Sequence, residues 1–223
     1  MFHTNIMHPR YKEWLVYLFE HPVTDPAWHW DLDAPEFDGS NEDFAILIGD
    51  TFTHSGTDLL PYSDAQVNQG LWFLLSTACS DYFFALKSAE VPLETRLASI
   101  RSIIRLYQDC FMRRCSRTLS HLDQESQSPL NAICYMFWDI NALGYTGDVA
   151  ESRETDDCIF SVLAQTLQLD HPACQEAAIH GYGELSCYYP ERCMKAMDNY
   201  LAGEIDSPEL RSYAERARTG DIL

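Results

Sequence analysis

The segment from Leu169 to Leu185, LDHPACQEAAIHGYGEL, carries five side chains whose types could do chemistry: His171, Cys174, Glu176, His180 and Glu184. Histidine and cysteine are the usual zinc ligands, and a histidine beside a carboxylate can act in acid–base catalysis. Zinc ligands must converge on one point, which on a helix requires spacings of three or four residues. Pro172 favours His171 as the N-cap before a helix, so the spacing does not favour a metal site.

Helical spacing divides this segment into two rows. The row predicted to face the core consists of Cys174, Ala177, Ala178, Gly181 and Leu185. The other row, Glu176, His180 and Glu184, is expected to face solvent, where its carboxylates would favour the protonated imidazole and raise the pKa of His180. We predict that this outward row contacts a partner. The alternative is an enzyme that uses His180 with Glu176 or Glu184 for acid–base catalysis.

Three common enzyme motifs do not occur in the chain: G-x-x-x-x-G-K-[ST], G-x-G-x-x-G and H-E-x-x-H. The HGYG segment has the glycines of a lipase oxyanion loop, but no G-x-S-x-G nucleophile segment accompanies it. Gly181 and Gly183 are instead expected to let a neighbouring helix approach closely. We therefore predict no catalytic residue, no metal ligand and no cofactor.

The net charge of −19, from 34 acidic and 15 basic residues, opposes a nucleic-acid-binding role, because phosphate recognition depends on positive charge. No lysine or arginine lies between Lys12 and Lys87, and acidic residues are densest over 25–43. The helix after Pro92 is rich in arginine instead, and Arg101, Arg105 and Arg113 are candidate partner contacts. Two interpretations stay open: the arginines neutralise the acidic half within the molecule, or the acidic half binds a basic partner.

The chain has no secretory signal pattern, and its longest apolar stretch, Leu71 to Leu86, is shorter than a membrane span and contains Asp81. We expect a cytoplasmic protein with no membrane contact. Its eight cysteines include no C-x-x-C pair and lie in apolar helical patterns, so we expect free, buried thiols.

Helical patterns dominate, and one domain over 1–223 is expected. Tyr11, Trp14, Leu15 and Leu18 predict a first helix, and a long acidic loop over 21–40 follows, held down by Trp28 and Trp30. Capping-box patterns at Ser40 and Ser63 predict helices over 41–55 and 64–88. Two more helices follow Pro92 and Pro129, then a polar linker over 145–154. The last four helices are predicted over 155–168, 171–186, 190–202 and 207–218.

The helices of the C-terminal part come in pairs with short connections. The stretch DDCIFSVLAQTLQLDHPACQEAAIHGYGEL, with YPERCMKAMDNYLAG after it, resembles a HEAT-type repeat over residues 156–203. The resemblance implies an all-α fold in which antiparallel helix pairs stack as an α/α superhelix. The family mostly provides protein-binding scaffolds and has no shared catalytic residues to carry over.

The pattern as a whole predicts a non-enzymatic protein-binding scaffold with an acidic surface. A sharper form of this hypothesis is an inhibitor or immunity-type protein whose negative face covers a basic partner. Besides the enzyme built on His180, a third hypothesis is a structural subunit that associates with further copies of itself.

Overall fold

The structure, a computed structural model, describes residues 7–31, 33–144 and 150–222. These residues form helices, turns and loops, and no strand occurs among them. The described ranges contain eleven α-helical segments: α1 (Tyr11–Phe19), α2 (Asn41–Thr53), α3 (Ser55–Asp58), α4 (Asp64–Leu75), α5 (Leu93–Leu106), α6 (Met112–Arg114), α7 (Leu130–Ile140), α8 (Ala150–Leu167), α9 (Pro172–Leu185), α10 (Pro190–Leu201) and α11 (Pro208–Ala217). A π-turn, Tyr107–Phe111, joins α5 to α6, and 3-10 turns occupy Trp28–Trp30, Tyr82–Lys87 and Ser120–Leu122.

The predicted helix starts are confirmed where side chains cap the backbone. Ser40 and Asp43 form a complete capping box at α2, and Ser63 and Gln66 form another at α4. Each box satisfies backbone N–H groups that have no partner inside the helix. The helices α9, α10 and α11 each begin on a proline, whose fixed φ suits the first helical turn.

Two predicted boundaries differ from the structure. The helix expected over 64–88 ends at Leu75, because hydroxyl groups bond to the backbone: Ser80 Oγ donates to the carbonyl of Phe73, and Ser76 Oγ accepts from the N–H of Ala78. The chain then turns before the 3-10 segment at Tyr82. The linker expected over 145–154 is helical from Ala150 onward, and residues 145–149 lie outside the described part of the chain.

Helix α9 is surrounded by other helices. It packs against α7, α8, α10 and α11, while α2 packs against α5 and α5 against α8. The glycines of α9 allow this proximity: a Cβ on Gly181 would lie 2.8 Å from the Trp138 ring of α7 and 2.7 Å from Leu163 of α8. A Cβ on Gly183 would lie 2.2 Å from Ile222. The prediction of close helix approach is confirmed for Gly181, whereas Gly183 makes room for Ile222 of the segment that follows α11.

The structure also bears on the predictions made for the cysteines and for membrane-spanning segments. All eight cysteines lie within the described residues and are free thiols, six of them buried. None of the helices in the described part of the chain is long and apolar enough to cross a membrane.

Candidate functional site

The row of α9 predicted to face solvent lies mostly inside the molecule. Glu176 has no exposed surface and His180 is 4% exposed, whereas Glu184 is half-buried. The prediction that Glu176 and His180 face outward is therefore wrong, although the inward row of Cys174, Ala177 and Ala178 is confirmed. Helical spacing locates two sides of a helix, but α9 has neighbours on both, so its polar row is covered as well.

Glu176 is held by three hydrogen bonds from the Ser120–Leu122 turn. Its carboxylate accepts the backbone N–H of Ser120 at 3.0 Å and that of His121 at 2.8 Å. The Nδ1 atom of His121 lies 2.7 Å from the same carboxylate, and the His121 side chain is 4% exposed. A buried carboxylate needs such partners, because unpaired burial of a charge is very costly. Glu176 thus ties α9 to the turn that precedes α7.

His180 reaches two further helices through tyrosine hydroxyls. Its Nδ1 atom lies 2.7 Å from the hydroxyl of Tyr213 in α11, which lies 3.0 Å from the hydroxyl of Tyr135 in α7. Its Nε2 atom has no hydrogen-bond partner among the described residues and lies 3.7 Å from the Glu184 carboxylate. Burial, with a smaller contribution from His121, lowers the pKa of His180 to about 4, so the expectation of a raised pKa is wrong.

We call Glu176, His121, His180, Tyr213 and Tyr135 the buried cluster. Three of its members, His121, Tyr135 and Tyr213, also line a surface pocket of about 670 Å³, whereas Glu176 and His180 lie behind that wall. The His121 ring stacks on the Tyr213 ring with centroids 4.0 Å apart. The cluster therefore joins α7, α9, α11 and the Ser120–Leu122 turn through polar contacts that are largely buried.

The predicted arginine contacts are exposed, but each pairs with a nearby carboxylate. Arg101 lies 2.9 Å from Glu94, while Arg105 and Arg113 lie 2.6 and 3.5 Å from Asp109. Residues 13–86 contain no lysine or arginine. Within the described residues, one arginine after Pro92 forms an ion pair with a carboxylate of this segment, and it is Arg114. Its partner is Asp64 at 2.7 Å. Internal pairing of the acidic half by these arginines is thus confined to one ion pair in that part of the chain.

A second cavity, of about 570 Å³, lies between the acidic loop, α1, α4 and the Tyr82 turn. Its aromatic walls are Tyr17, Trp28, Phe37, Phe44, Phe73 and Tyr82. The hydroxyls of Tyr17 and Tyr82 lie 2.9 Å apart, and the Tyr82 hydroxyl accepts the N–H of Phe37 at 3.1 Å. Trp28 stacks on His21 with centroids 3.8 Å apart and meets Phe73 edge-on at 4.7 Å. These contacts hold the loop against the helices.

Four carboxylates also line this cavity: Asp31, Glu36, Asp38 and Asp81. All four are exposed to solvent, and none forms an ion pair with a lysine, arginine or histidine of the described residues. We call the cavity with these four cleft carboxylates the acidic cleft. Trp30, expected to pin the loop together with Trp28, is instead 57% exposed.

The sequence indicated the acidity of this loop but not the cleft. Tyr17, Phe73 and Asp81 come from three separate segments, and nothing in their local spacing signals that they meet. The same holds for His121 and Tyr213, whose contacts with α9 span 55 and 33 residues. The cluster could have been predicted from Glu176 only if its carboxylate had been placed inside the molecule, where it needs hydrogen-bond partners. The predicted position on the solvent face pointed away from this.

Within the described ranges, no group of three or more histidine, cysteine, aspartate or glutamate side chains is arranged to hold a metal ion. No protein-family model, curated protein or solved structure matches the chain. The resemblance of residues 156–203 to a HEAT-type repeat therefore rests on the helix pattern alone.

Proposed function

We propose that the protein is a non-enzymatic binding scaffold that recognises a basic protein partner through the acidic cleft and the loop around it. The observation that carries this proposal is the exposure of the four cleft carboxylates, none of which forms an ion pair among the described residues, although Arg10 lies close to Asp38. A specific form of the proposal is an inhibitor or immunity-type protein that covers a basic surface of its target.

Electrostatics favours this assignment. Like charges held close together repel one another, and a cationic partner removes that repulsion when it binds. A net charge of −19 also attracts a basic protein before contact, which raises the association rate. Because exposed charges are screened over about 10 Å at 0.1 M salt, both effects weaken as the salt concentration rises.

The scaffold itself is proposed to be a HEAT-like stack in its C-terminal part. The helices α7, α9 and α11 pack in sequence, with α8 and α10 also against α9. Contacts between alternate helices are what stacked helix pairs produce. Such a stack provides a rigid support for a recognition surface, because each helix pair is held by its neighbours.

The two alternatives have less support from the geometry. An enzyme based on His180 would need that ring to reach a substrate, yet His180 is 4% exposed and lies behind Tyr213. Self-association would bring together two chains of charge −19, which repel unless the interface excludes their acidic faces. Arg101, Arg105, Arg113 and the half-buried Glu184 stay predictions as partner contacts.

Affinity capture with two charge-matched variants tests the proposal. The cleft variant, D31N/E36Q/D38N/D81N, removes four negative charges from the acidic cleft. The control variant, E125Q/E154Q/E204Q/D206N, removes four from exposed positions that have no ion pair among the described residues. Immobilised wild-type protein and both variants are incubated with lysate of the source cells at low and high salt, and captured proteins are identified by mass spectrometry.

We expect wild type and control to capture the same basic protein at low salt and to release it at high salt, while the cleft variant captures little. Equal capture by the two variants would assign binding to net charge rather than to the cleft. Recovery of no basic protein by the wild type at either salt, or of the chain itself as the main product, would contradict the proposal.

A further inference from the structure

The acidic cleft has aromatic walls in addition to its carboxylates. A general attraction to a basic surface needs carboxylates alone, yet this cavity is built from six aromatic rings around a volume of about 570 Å³. Aromatic faces attract cations through the negative charge of their π-systems, and the effect grows as the cation loses water. A cavity that combines aromatic walls with carboxylates is therefore suited to an organic cation.

We propose that the acidic cleft receives one arginine side chain of the basic partner, with the guanidinium against the aromatic walls and paired with the cleft carboxylates. This inference rests on the proposed function, because it names the group that the cleft recognises. The guanidinium is planar, stacks on aromatic rings and donates two parallel hydrogen bonds to a carboxylate. A lysine ammonium is a compact, strongly hydrated charge that matches flat walls less well.

The protein's own Arg10 uses the same chemistry at one wall of the cleft. Its guanidinium carbon lies 4.0 Å from the centroid of the Phe37 ring, and its Nη1 donates to the carbonyl of Asp38. Phe37 and Asp38 both line the cavity. This segment of the loop therefore already accepts a guanidinium over an aromatic ring, and the remaining rings and carboxylates extend that environment into the cavity.

The histidine in the wall does not oppose a cation. The His29 ring lies nearly parallel to Phe73 with centroids 5.2 Å apart, and its buried Nδ1 atom has no hydrogen-bond partner in the described part of the chain. Burial, with a smaller contribution from His21, lowers the pKa of His29, so the ring is neutral at physiological pH.

A peptide titration isolates the guanidinium. The probes are three capped Gly-X-Gly peptides in which X is arginine, lysine or citrulline, the last being a neutral analogue of arginine with nearly the same shape. Binding to the full chain is followed by NMR through the indole N–H signal of Trp28, which reports on the cavity itself. We expect the arginine peptide to bind about tenfold more tightly than the citrulline peptide, a ratio consistent with a desolvated cation–π contact and an ion pair.

One variant separates the aromatic contribution from the charge. Phe73→Leu keeps an apolar side chain and all four carboxylates but removes one ring, and we expect it to weaken arginine binding about threefold to tenfold. Circular dichroism checks that the variant is folded, and the comparison of arginine with citrulline on wild-type protein requires no variant. Equal affinity for arginine and citrulline, or binding that leaves the Trp28 signal unmoved, would overturn the inference.

The inference and the proposed function fail in different ways. If the cleft variant loses the partner while arginine and citrulline bind alike, the acidic face is a binding surface without an arginine receptor. If arginine binds in the cavity but the cleft variant captures the basic protein as well as wild type does, the cavity is an arginine site and the proposed partner is wrong.

Discussion

The buried cluster and the acidic cleft combine the same kinds of side chain with opposite results. In the cluster, one carboxylate accepts three hydrogen bonds and has no exposed surface. In the cleft, four carboxylates face solvent beside six aromatic rings and form no ion pair among the described residues. A charge whose partners are all internal stabilises the fold, whereas a charge without them is available to another molecule. Stability measurements can therefore distinguish the two regions.

The largest effect is expected from Glu176→Gln. The amide presents a donor where the carboxylate accepted hydrogen bonds from the turn, so at least one N–H loses its acceptor. Leaving a buried donor without its acceptor costs about 1–3 kcal/mol, and we expect a loss of unfolding free energy near the upper end. Urea denaturation measures it.

Glu184→Gln is the matched control for that substitution. Glu184 lies two turns further along the same helix, is half-buried and makes one long contact, 3.7 Å to His180. We expect it to cost less than about 1 kcal/mol. Equal losses for the two variants would mean that the hydrogen bonds of Glu176 contribute little, and the contrast between cluster and cleft would lose its basis.

His180 should make the stability depend on pH. Its pKa is about 4 in the folded protein, below the ordinary value of about 6.5 in the unfolded chain, so the unfolded state binds the proton more readily. The unfolding free energy should therefore fall as the pH drops from about 6.5 to 4, by roughly 3 kcal/mol for this group. The ring also faces Glu184, His121, Tyr135 and Tyr213. Burial raises the pKa of Glu184, so the contribution of His180 must be separated by a variant that keeps these four groups.

The comparison of wild type with His180→Gln isolates that slope. The glutamine oxygen can still accept a hydrogen bond from Tyr213 but cannot take up a proton in this range. Urea denaturation at about pH 7.5 and pH 5 should give a smaller difference for the variant than for wild type. Parallel losses in the two proteins would show that His180 is not the titrating group, and the cluster would then owe its pH response to other residues.

A smaller effect is expected from packing at the same helix. Gly181→Ala places a Cβ 2.7–2.8 Å from Leu163 and Trp138, so α7 or α8 must shift, at a cost of about 1–3 kcal/mol. The control is Gly144→Ala, because a Cβ on Gly144 would meet no atom of the described residues within 4 Å. Thermal denaturation compares the two. A neutral Gly181→Ala would indicate that the helices around the cluster can separate without loss, and that polar contacts rather than packing fix α9.

The sequence predicted the elements better than their environment. Helix starts follow from local chemistry, such as the side chains of Ser40 and Ser63 that bond to the next turn, and these were confirmed. The end of α4 was missed, since its stop comes from hydroxyl groups bonding to the backbone rather than from glycine or proline. A local sequence pattern reflects bonding within the adjacent turn of the chain. It seldom predicts a hydroxyl–backbone hydrogen bond that competes with the helix.

Both candidate regions depend on contacts between distant segments. The spacing of Glu176 and His180 correctly placed them on one face of α9, but which face is covered depends on α11 and on the Ser120–Leu122 turn. The cleft required the acidic loop to meet Phe73 and Asp81. The charge of the acidic loop can be counted residue by residue from the sequence. The walls of the cavity cannot, because they come from segments that are distant along the chain.

The smallest effect on stability is expected from the cleft itself. The four substitutions of the cleft variant keep the size of each side chain and remove charges that lack cationic partners within the described ranges, so each should change the unfolding free energy by less than about 0.5 kcal/mol. Relief of mutual repulsion makes a small gain the expected sign. Urea denaturation at low salt measures it.

Asp43→Asn gives the contrast within the same acidic segment. Asp43 accepts hydrogen bonds from Ser40 in the capping box and lies 3.0 Å from His8, and the Ser40 bonds lower the pKa of its carboxyl to about 2. Its loss should cost about 1 kcal/mol, more than any cleft carboxylate. If the cleft variant instead loses about 2 kcal/mol or more, the loop depends on those charges for its folding. The cleft would then be a second structural cluster, and its exposure alone would no longer favour a partner.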